Sequence, residues 1–108
     1  MATLSGTRVR HTVVFSLRHE PGSAEAESFL DALRSLGSID GVRDLEVVRQ
    51  VSVKNTYQLG VVMEFEDQAA YEAYNGHPKH VSFVADRWDA EVTDFMEIDF
   101  VALGESGS

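Results

Sequence analysis

One short segment of the chain, residues 74–81, concentrates side chains that can transfer protons. It contains two of the four histidines, His77 and His80, together with Tyr74. The unperturbed pKa of histidine lies nearest neutrality, so a close pair can serve in proton transfer, metal binding or a pH-sensitive contact. The segment can equally be a turn with polar caps between two short helices, because Pro78 disfavours helical geometry at the residue before it.

Metal binding by this pair is disfavoured by the same proline. His77 and His80 are three residues apart and would face one cation only if a helix continued through both of them. Pro78 breaks that helix, so we expect no metal site. The chain also shows no nucleophile beside a base, no glycine-rich phosphate loop and no cofactor motif. We therefore expect no cofactor.

Length and composition are typical of one small globular domain. The chain has 108 residues, of which 44 % are hydrophobic. It has no cysteine, which excludes disulfides and thiolate zinc sites and is consistent with a reducing compartment. No apolar run approaches the roughly 20 residues of a membrane span. Residues 1–6 lack the basic and apolar regions of a signal peptide. We expect a cytoplasmic protein.

The charge of the chain restricts its partners. Eighteen acidic residues oppose nine basic ones, which gives a formal net charge of −9. Binding to nucleic acid or to an anionic membrane depends on clustered basic residues, and no such cluster is present. The expected partners are therefore another protein surface or a small molecule.

Periodicity predicts the elements that must position the histidines. Alternation predicts strands and a period near 3.6 predicts helices. The strands are expected over 9–17, 45–53, 57–65 and about 92–103, and the helices over 24–36, 68–76 and from 78 to about 86 or 88. Ser23 and Asp67 are expected to cap the first two helices, and Gly37 to follow the first one.

This order, β-α-β-β-α-(α)-β, predicts an α+β, ferredoxin-like fold with four antiparallel strands and helices on one face. The other face is expected to include four apolar residues, Val14, Val48, Val62 and Phe95. An uncovered apolar face predicts pairing with a second copy, so that two sheets form a dimeric α+β barrel. The alternative is a monomer with a mixed, solvated face. We expect a single domain, residues 1–108, with an ordered core of about 8–103 and flexible ends.

His11 extends the candidate site to the first strand. It shares an apolar face with Val13 and Phe15, and a histidine in such a stripe needs a hydrogen-bonding partner. That partner can be Tyr74, His80, a ligand or a backbone carbonyl. If Pro78 begins a helix, His80 falls at about its third position, where the positive helix end disfavours a charged imidazolium.

Several motifs together resemble one known family. They are His77-Pro78-Lys79-His80-Val81 after a strand ending in Phe65, the start Arg10-His11-Thr12-Val13-Val14-Phe15, Gly41-Val42, Tyr71-Glu72-Ala73-Tyr74, and Asp99-Phe100. Over residues 9–103 the chain resembles the stress-responsive α/β-barrel (Dabb) family. The resemblance implies a ferredoxin-like fold and a homodimer built by packing sheets, whereas most similar bacterial members have no assigned activity.

The chain is also similar to a plant enzyme of this kind, olivetolic acid cyclase. That enzyme closes a polyketide-CoA ring by intramolecular aldol condensation without metal or organic cofactor. The resemblance implies that His80 matches its catalytic histidine, Tyr74 its catalytic tyrosine and His11 a pocket histidine. In such a reaction His80 would be the base and Tyr74 would orient the substrate carbonyl. The enzyme has isoleucines where this chain has Asn75 and Gly76, which implies that the pocket of this chain has a smaller, more polar wall.

Three hypotheses follow. The first is a homodimeric Dabb protein of undetermined activity that binds a small hydrophobic molecule between sheet and helices. Its ligand-binding residues would be His11, Val13, Phe15 and Phe83. The second is a cofactor-free polyketide cyclase or lyase that uses His80 and Tyr74. The third is a non-catalytic structural or stress-associated dimer, in which the histidines only hold the helix break.

Overall fold

The computed structural model describes Leu4 and residues 6–103 of the chain. The strands are β1 (Val9–Leu17), β2 (Arg43–Arg49), β3 (Leu59–Phe65) and β4 (Val92–Val101). The helices are α1 (Ala24–Arg34), α2 (Gln68–Gly76), α3 (Pro78–Phe83) and α4 (Asp89–Glu91), with a 3₁₀ turn over Ser35–Ser38 and a π-helical turn over Val84–Trp88. The two ends of the chain were predicted to be flexible, and most of their residues lie outside the described part of the chain.

The four strands form one antiparallel sheet in the order β2-β3-β1-β4, which confirms the ferredoxin-like prediction. β1 lies between β3 and β4. Its register places His11 opposite Met63 on one side and opposite Asp99 on the other. Directly paired residues point to the same face of a sheet, so Asp99 comes beside His11.

The core lies between the sheet and the helices. The inward residues of β1 are all buried, including His11, and they pack against the apolar stripe of α1. Phe15 and Phe29 are fully buried, and their rings lie 6.0 Å apart between centroids. The period-two pattern of β1 and the helical stripe of α1 therefore meet as predicted.

Side chains define where the helices begin. The Ser23 hydroxyl accepts a hydrogen bond from the Ala26 amide at 3.2 Å, and the Asp67 carboxylate accepts one from the Ala70 amide at 2.9 Å. Both predicted N-caps are confirmed. The prediction for Gly37 is wrong, because α1 continues into the 3₁₀ turn that contains this glycine.

The second strand begins and ends earlier than predicted. Asp44 has a φ of 54°, and the pairing with β3 shifts between Arg43 and Glu46, so β2 starts with an irregularity. β2 ends at Arg49, and the Gln50 amide makes one more backbone hydrogen bond, to the Gln58 carbonyl at 3.0 Å, before the chain leaves the sheet. Side-chain hydrogen bonds from Gln50 to the Tyr57 carbonyl, at 2.7 Å, and from the Tyr57 amide to Asn55, at 3.0 Å, hold the connection instead. Local polar bonding thus overrides the alternation that predicted a longer strand.

The outer face of the sheet differs from the prediction at one residue. Phe95 pairs with Phe15 and therefore points to the helix side, so its assignment to the outer face is wrong. The apolar residues on the outer face of β4 are instead Met96, Ile98 and Phe100, which are 36–49 % exposed. None of the helices in the described part of the chain has the length and apolar character needed to cross a membrane.

Candidate functional site

A cavity of about 360 Å³ lies between the helices and the inner face of the sheet. Much of its wall is apolar and includes Val13, Val61, Met63, Leu33, Leu36 and Phe83. The polar part of the wall is formed by His11, Tyr74, Asn75, His80, Asp89 and Glu97. A largely apolar hollow with a few converging polar groups is the usual form of a small-molecule site.

Five of the six predicted site residues lie on this wall. His11, Tyr74 and His80 come together there, and Val13 and Phe83 line it as well. Phe15 does not. It is fully buried behind the wall, where its ring lies 5.1 Å from the ring of Trp88, which does reach the cavity.

The break between α2 and α3 positions His80. The side chain of His77 caps α3 by accepting a hydrogen bond from the Lys79 amide at 3.1 Å, and Pro78 occupies the first helical position. His80 therefore stands at the third position of α3. A proline suits this start because its missing N–H would have had no partner in the helix.

One hydrogen bond fixes the chemical form of His80. Its Nδ1 lies 3.1 Å from the carbonyl oxygen of Asn75. A carbonyl only accepts, so Nδ1 carries the hydrogen and the neutral ring has its lone pair on Nε2. Burial lowers the pKa of His80, although the Asn75 carbonyl opposes this shift. His80 is thus suited to accept a proton at Nε2.

Tyr74 lies directly against this imidazole. The two rings are 4.4 Å apart between centroids, and Tyr74 is buried. Burial raises the pKa of its phenol, and the charge of Glu97 acts in the same direction. Tyr74 therefore remains a neutral hydroxyl, which can donate a hydrogen bond.

His11 belongs to a hydrogen-bonded group behind the polar wall. Its Nδ1 lies 2.6 Å from the Asp99 carboxylate and 3.1 Å from the Tyr71 hydroxyl. The same hydroxyl lies 3.0 Å from one oxygen of Glu97 and 3.0 Å from one oxygen of Asp99. Burial raises the pKa of Tyr71, and so does its hydrogen bond to Asp99. The partners of His11 are thus a carboxylate and a phenol.

These partners were missed as site residues in the sequence. Glu97 and Asp99 alternate with Phe95 along β4, so they face the helices once Phe95 does. Tyr71 lies one helical turn before Tyr74 and shares its buried face. The available signal was the alternation of β4, which becomes informative only when its register with β1 is known.

The same group has the composition of a cation site. One ligand atom each of His11, Glu97 and Asp99 lies within 4.8 Å of the others. Imidazole and carboxylate ligands of this kind suit a divalent metal. A cation would have to replace the short hydrogen bond between His11 and Asp99.

The chain matches a family model and several solved structures. The model of the Stress Responsive A/B Barrel Domain, Dabb, matches residues 9–102. A Dabb family protein with a ferredoxin-like fold from Mesorhizobium loti is 54 % identical, with a TM-score of 0.87, over 90 % of this chain and 98 % of that one. No protein in the curated set matches.

More distant structures share the fold. A dimeric ferredoxin-like protein of unknown function from Thermobifida fusca is 20 % identical, with a TM-score of 0.74, over 93 % of this chain and 95 % of that one. A hydroxynitrile lyase from Passiflora edulis is 10 % identical, with a TM-score of 0.78, over 92 % and 96 %. With the model match over nearly the whole chain and the relative from M. loti, the chain belongs to the Dabb, or stress responsive A/B barrel, domain family.

Proposed function

We propose that the chain acts as a homodimer whose cavity binds a small, mainly apolar molecule, and that His80 serves there as a general base. The observation that carries this proposal is that His11, Tyr74 and His80 share the wall of one cavity. These residues come from β1, α2 and α3, so only the folded chain brings them together.

The proposed chemistry is proton abstraction from a carbon next to a carbonyl group. The Nε2 of His80 would accept the proton, since Nδ1 already donates to Asn75. The enolate oxygen that forms then needs a hydrogen-bond donor, and the phenol of Tyr74 stands beside the imidazole. Both groups are neutral at the start, as the transfer requires. The reaction uses only side chains of the chain itself.

Deuterium exchange into benzylacetone tests this chemistry. In D₂O, the protein should exchange the hydrogens next to the ketone, and His80→Ala should slow this by about 10²–10⁴-fold, the usual contribution of a positioned base. His19→Ala is the matched control, because it also removes a histidine but one that lies beside Glu91 and off the cavity wall. Equal exchange by the wild type and His80→Ala would refute a role for His80 as the base.

The homodimer rests on the outer face of the sheet. Val48, Met96, Ile98 and Phe100 leave a large apolar area exposed there, and an area of this kind on a soluble domain usually marks an interface. The Thermobifida fusca neighbour with the same fold is dimeric. Light scattering should therefore give twice the chain mass for the wild type and the chain mass for Ile98→Asp. A wild type that stays monomeric at high concentration would contradict the dimer.

A second candidate is a cofactor-free polyketide cyclase. The rings of Tyr74 and His80, 4.4 Å apart between centroids, favour it. An aldol ring closure needs a base at a carbon of the substrate and a hydrogen-bond donor at the carbonyl group next to that carbon. Short polyketide-CoA substrates should cyclise with the wild type and not with His80→Ala, and equal product from both would exclude this candidate. If no tested ligand enters the cavity, the third alternative, a non-catalytic dimer, gains support.

A further inference from the structure

The polar part of the cavity wall carries acidic side chains beside its two histidines. Glu97 and Asp89 line the wall, and Asp99 lies directly behind His11. The wall residues in the described part of the chain include neither lysine nor arginine. A molecule that enters the cavity therefore meets carboxylates and imidazoles, with no lysine or arginine on the described wall to offset the carboxylates.

One hydroxyl group joins two of these acidic side chains. Tyr71 has one hydrogen to donate but lies 3.0 Å from an oxygen of Glu97 and 3.0 Å from an oxygen of Asp99. The two carboxylates therefore converge on one donor, and no lysine or arginine of the described wall faces them.

The apolar part of the wall strengthens this effect. Val13, Met63 and Phe83 are buried and exclude water from the other side of the cavity. In such surroundings two like charges a few ångströms apart repel far more strongly than in water. The side chains of Glu97 and Asp99 are 48 % and 37 % exposed, so solvent weakens the repulsion without removing it.

We infer that the cavity selects a ligand that is uncharged at its polar end, such as a ketone or an amide, and rejects the isosteric carboxylate. This inference rests on the proposed function, because it names the class of molecule that the same cavity accepts. It follows from the charges of the wall and not from the chemistry of His80.

Three compounds of equal size separate the possibilities. Benzylacetone, hydrocinnamamide and hydrocinnamate share one phenylethyl body and end in a methyl ketone, an amide and a carboxylate. Calorimetric titration of the full chain at neutral pH should show binding of the ketone and the amide. Hydrocinnamate should bind at least about tenfold more weakly than either.

Two variants assign the difference to the cavity wall. Glu97→Gln should bring hydrocinnamate to within about threefold of the ketone, because it removes a nearby charge. Asp94→Asn is the matched control, since Asp94 lies on the same strand but alternates to the outer face, and it should leave the ratio unchanged.

The outcomes of this experiment are distinct. Binding of hydrocinnamate within about threefold of benzylacetone in the wild type would overturn the inference, while the cavity would remain a binding site. A ratio that does not respond to Glu97→Gln, or that responds equally to Asp94→Asn, would also overturn it. If none of the three compounds binds, the proposed function fails and the inference fails with it.

Discussion

The strands β3 and β4 flank β1 on its two sides, yet they distribute polar and apolar residues in opposite ways. The inward residues of β3 are all apolar: Val61, Met63 and Phe65 are buried, and Leu59 is half-buried. β4 turns Glu97 and Asp99 inward together with Phe95, and it turns Met96, Ile98 and Phe100 outward.

The difference separates two roles within one sheet. β3 supplies ordinary core, so its pattern follows from burial alone. The inverted pattern of β4 is unfavourable for an isolated monomer, because carboxylates occupy the helix side while apolar groups meet water. It becomes reasonable if the inward side serves a polar cavity and the outward side is covered by a second copy, as we propose.

Matched truncations of phenylalanine should show the largest effect of this contrast. Phe65 on β3 is fully buried, so Phe65→Ala should lower the free energy of unfolding by about 3–5 kcal/mol. Phe100 on β4 is 49 % exposed on the outer face, so at low protein concentration Phe100→Ala should stay within about 0.5 kcal/mol of the wild type.

Urea unfolding at two protein concentrations measures both values. If the outer face binds a second copy, the loss in Phe100→Ala grows with concentration, because dimerisation stabilises only the folded chain. A loss in Phe100→Ala that is large and independent of concentration would mean that Phe100 is part of the monomer core.

Removing the carboxylate behind His11 should have an intermediate effect. Asp99→Ala leaves the buried Nδ1 of His11 without its 2.6 Å acceptor, which should cost about 1–3 kcal/mol of unfolding free energy. Asp94→Ala on the outer face of the same strand is the control and should change little. Thermal unfolding of both variants checks this, and equal losses would show that His11 does not depend on Asp99.

The pH dependence of stability should show the smallest effect. Burial lowers the pKa of His80, so between the ordinary value of about 6.5 and the lower folded value the unfolded chain binds a proton that the folded chain does not. The corresponding contribution to the free energy of unfolding is fully present above the ordinary pKa. It is lost as the pH falls towards the folded pKa.

Urea unfolding at about pH 7.5 and about pH 5.5 measures this difference. The wild type should lose more stability on acidification than His80→Gln, which has no such proton to bind. The other histidines and the carboxylates are the same in both proteins, so the comparison isolates His80. Identical losses would show that the folded chain does not hold His80 in its neutral form.

The sequence was sufficient for the fold and for part of the site. The alternation of β1 predicted that His11 points inward, and Pro78 predicted the helix start that positions His80. Both signals are local, because each depends on a few consecutive residues. The caps at Ser23 and Asp67 were predictable for the same reason.

The rest depended on contacts between distant parts of the chain. Asp99 and His11 are 88 residues apart in the sequence and meet only through the register of β4 with β1. Alternation alone does not determine that register. The same register decides that Phe95 faces the helices. Phe15 shares the inward face with His11, but Trp88 covers it, and that packing is not visible in the pattern of β1.

The central claim is that the cavity is a binding site that both His11 and His80 reach. Long-range ¹H–¹⁵N spectra of histidine-labelled protein, recorded while benzylacetone is added, test it directly. We predict a neutral His80 with its hydrogen on Nδ1 and ring signals of His80 and His11 that shift with the ligand. His19, which lies 2.7 Å from Glu91 and off the cavity wall, should stay unchanged. Unmoved His80 and His11 signals at saturating ligand, or equal shifts at His19, would contradict the claim.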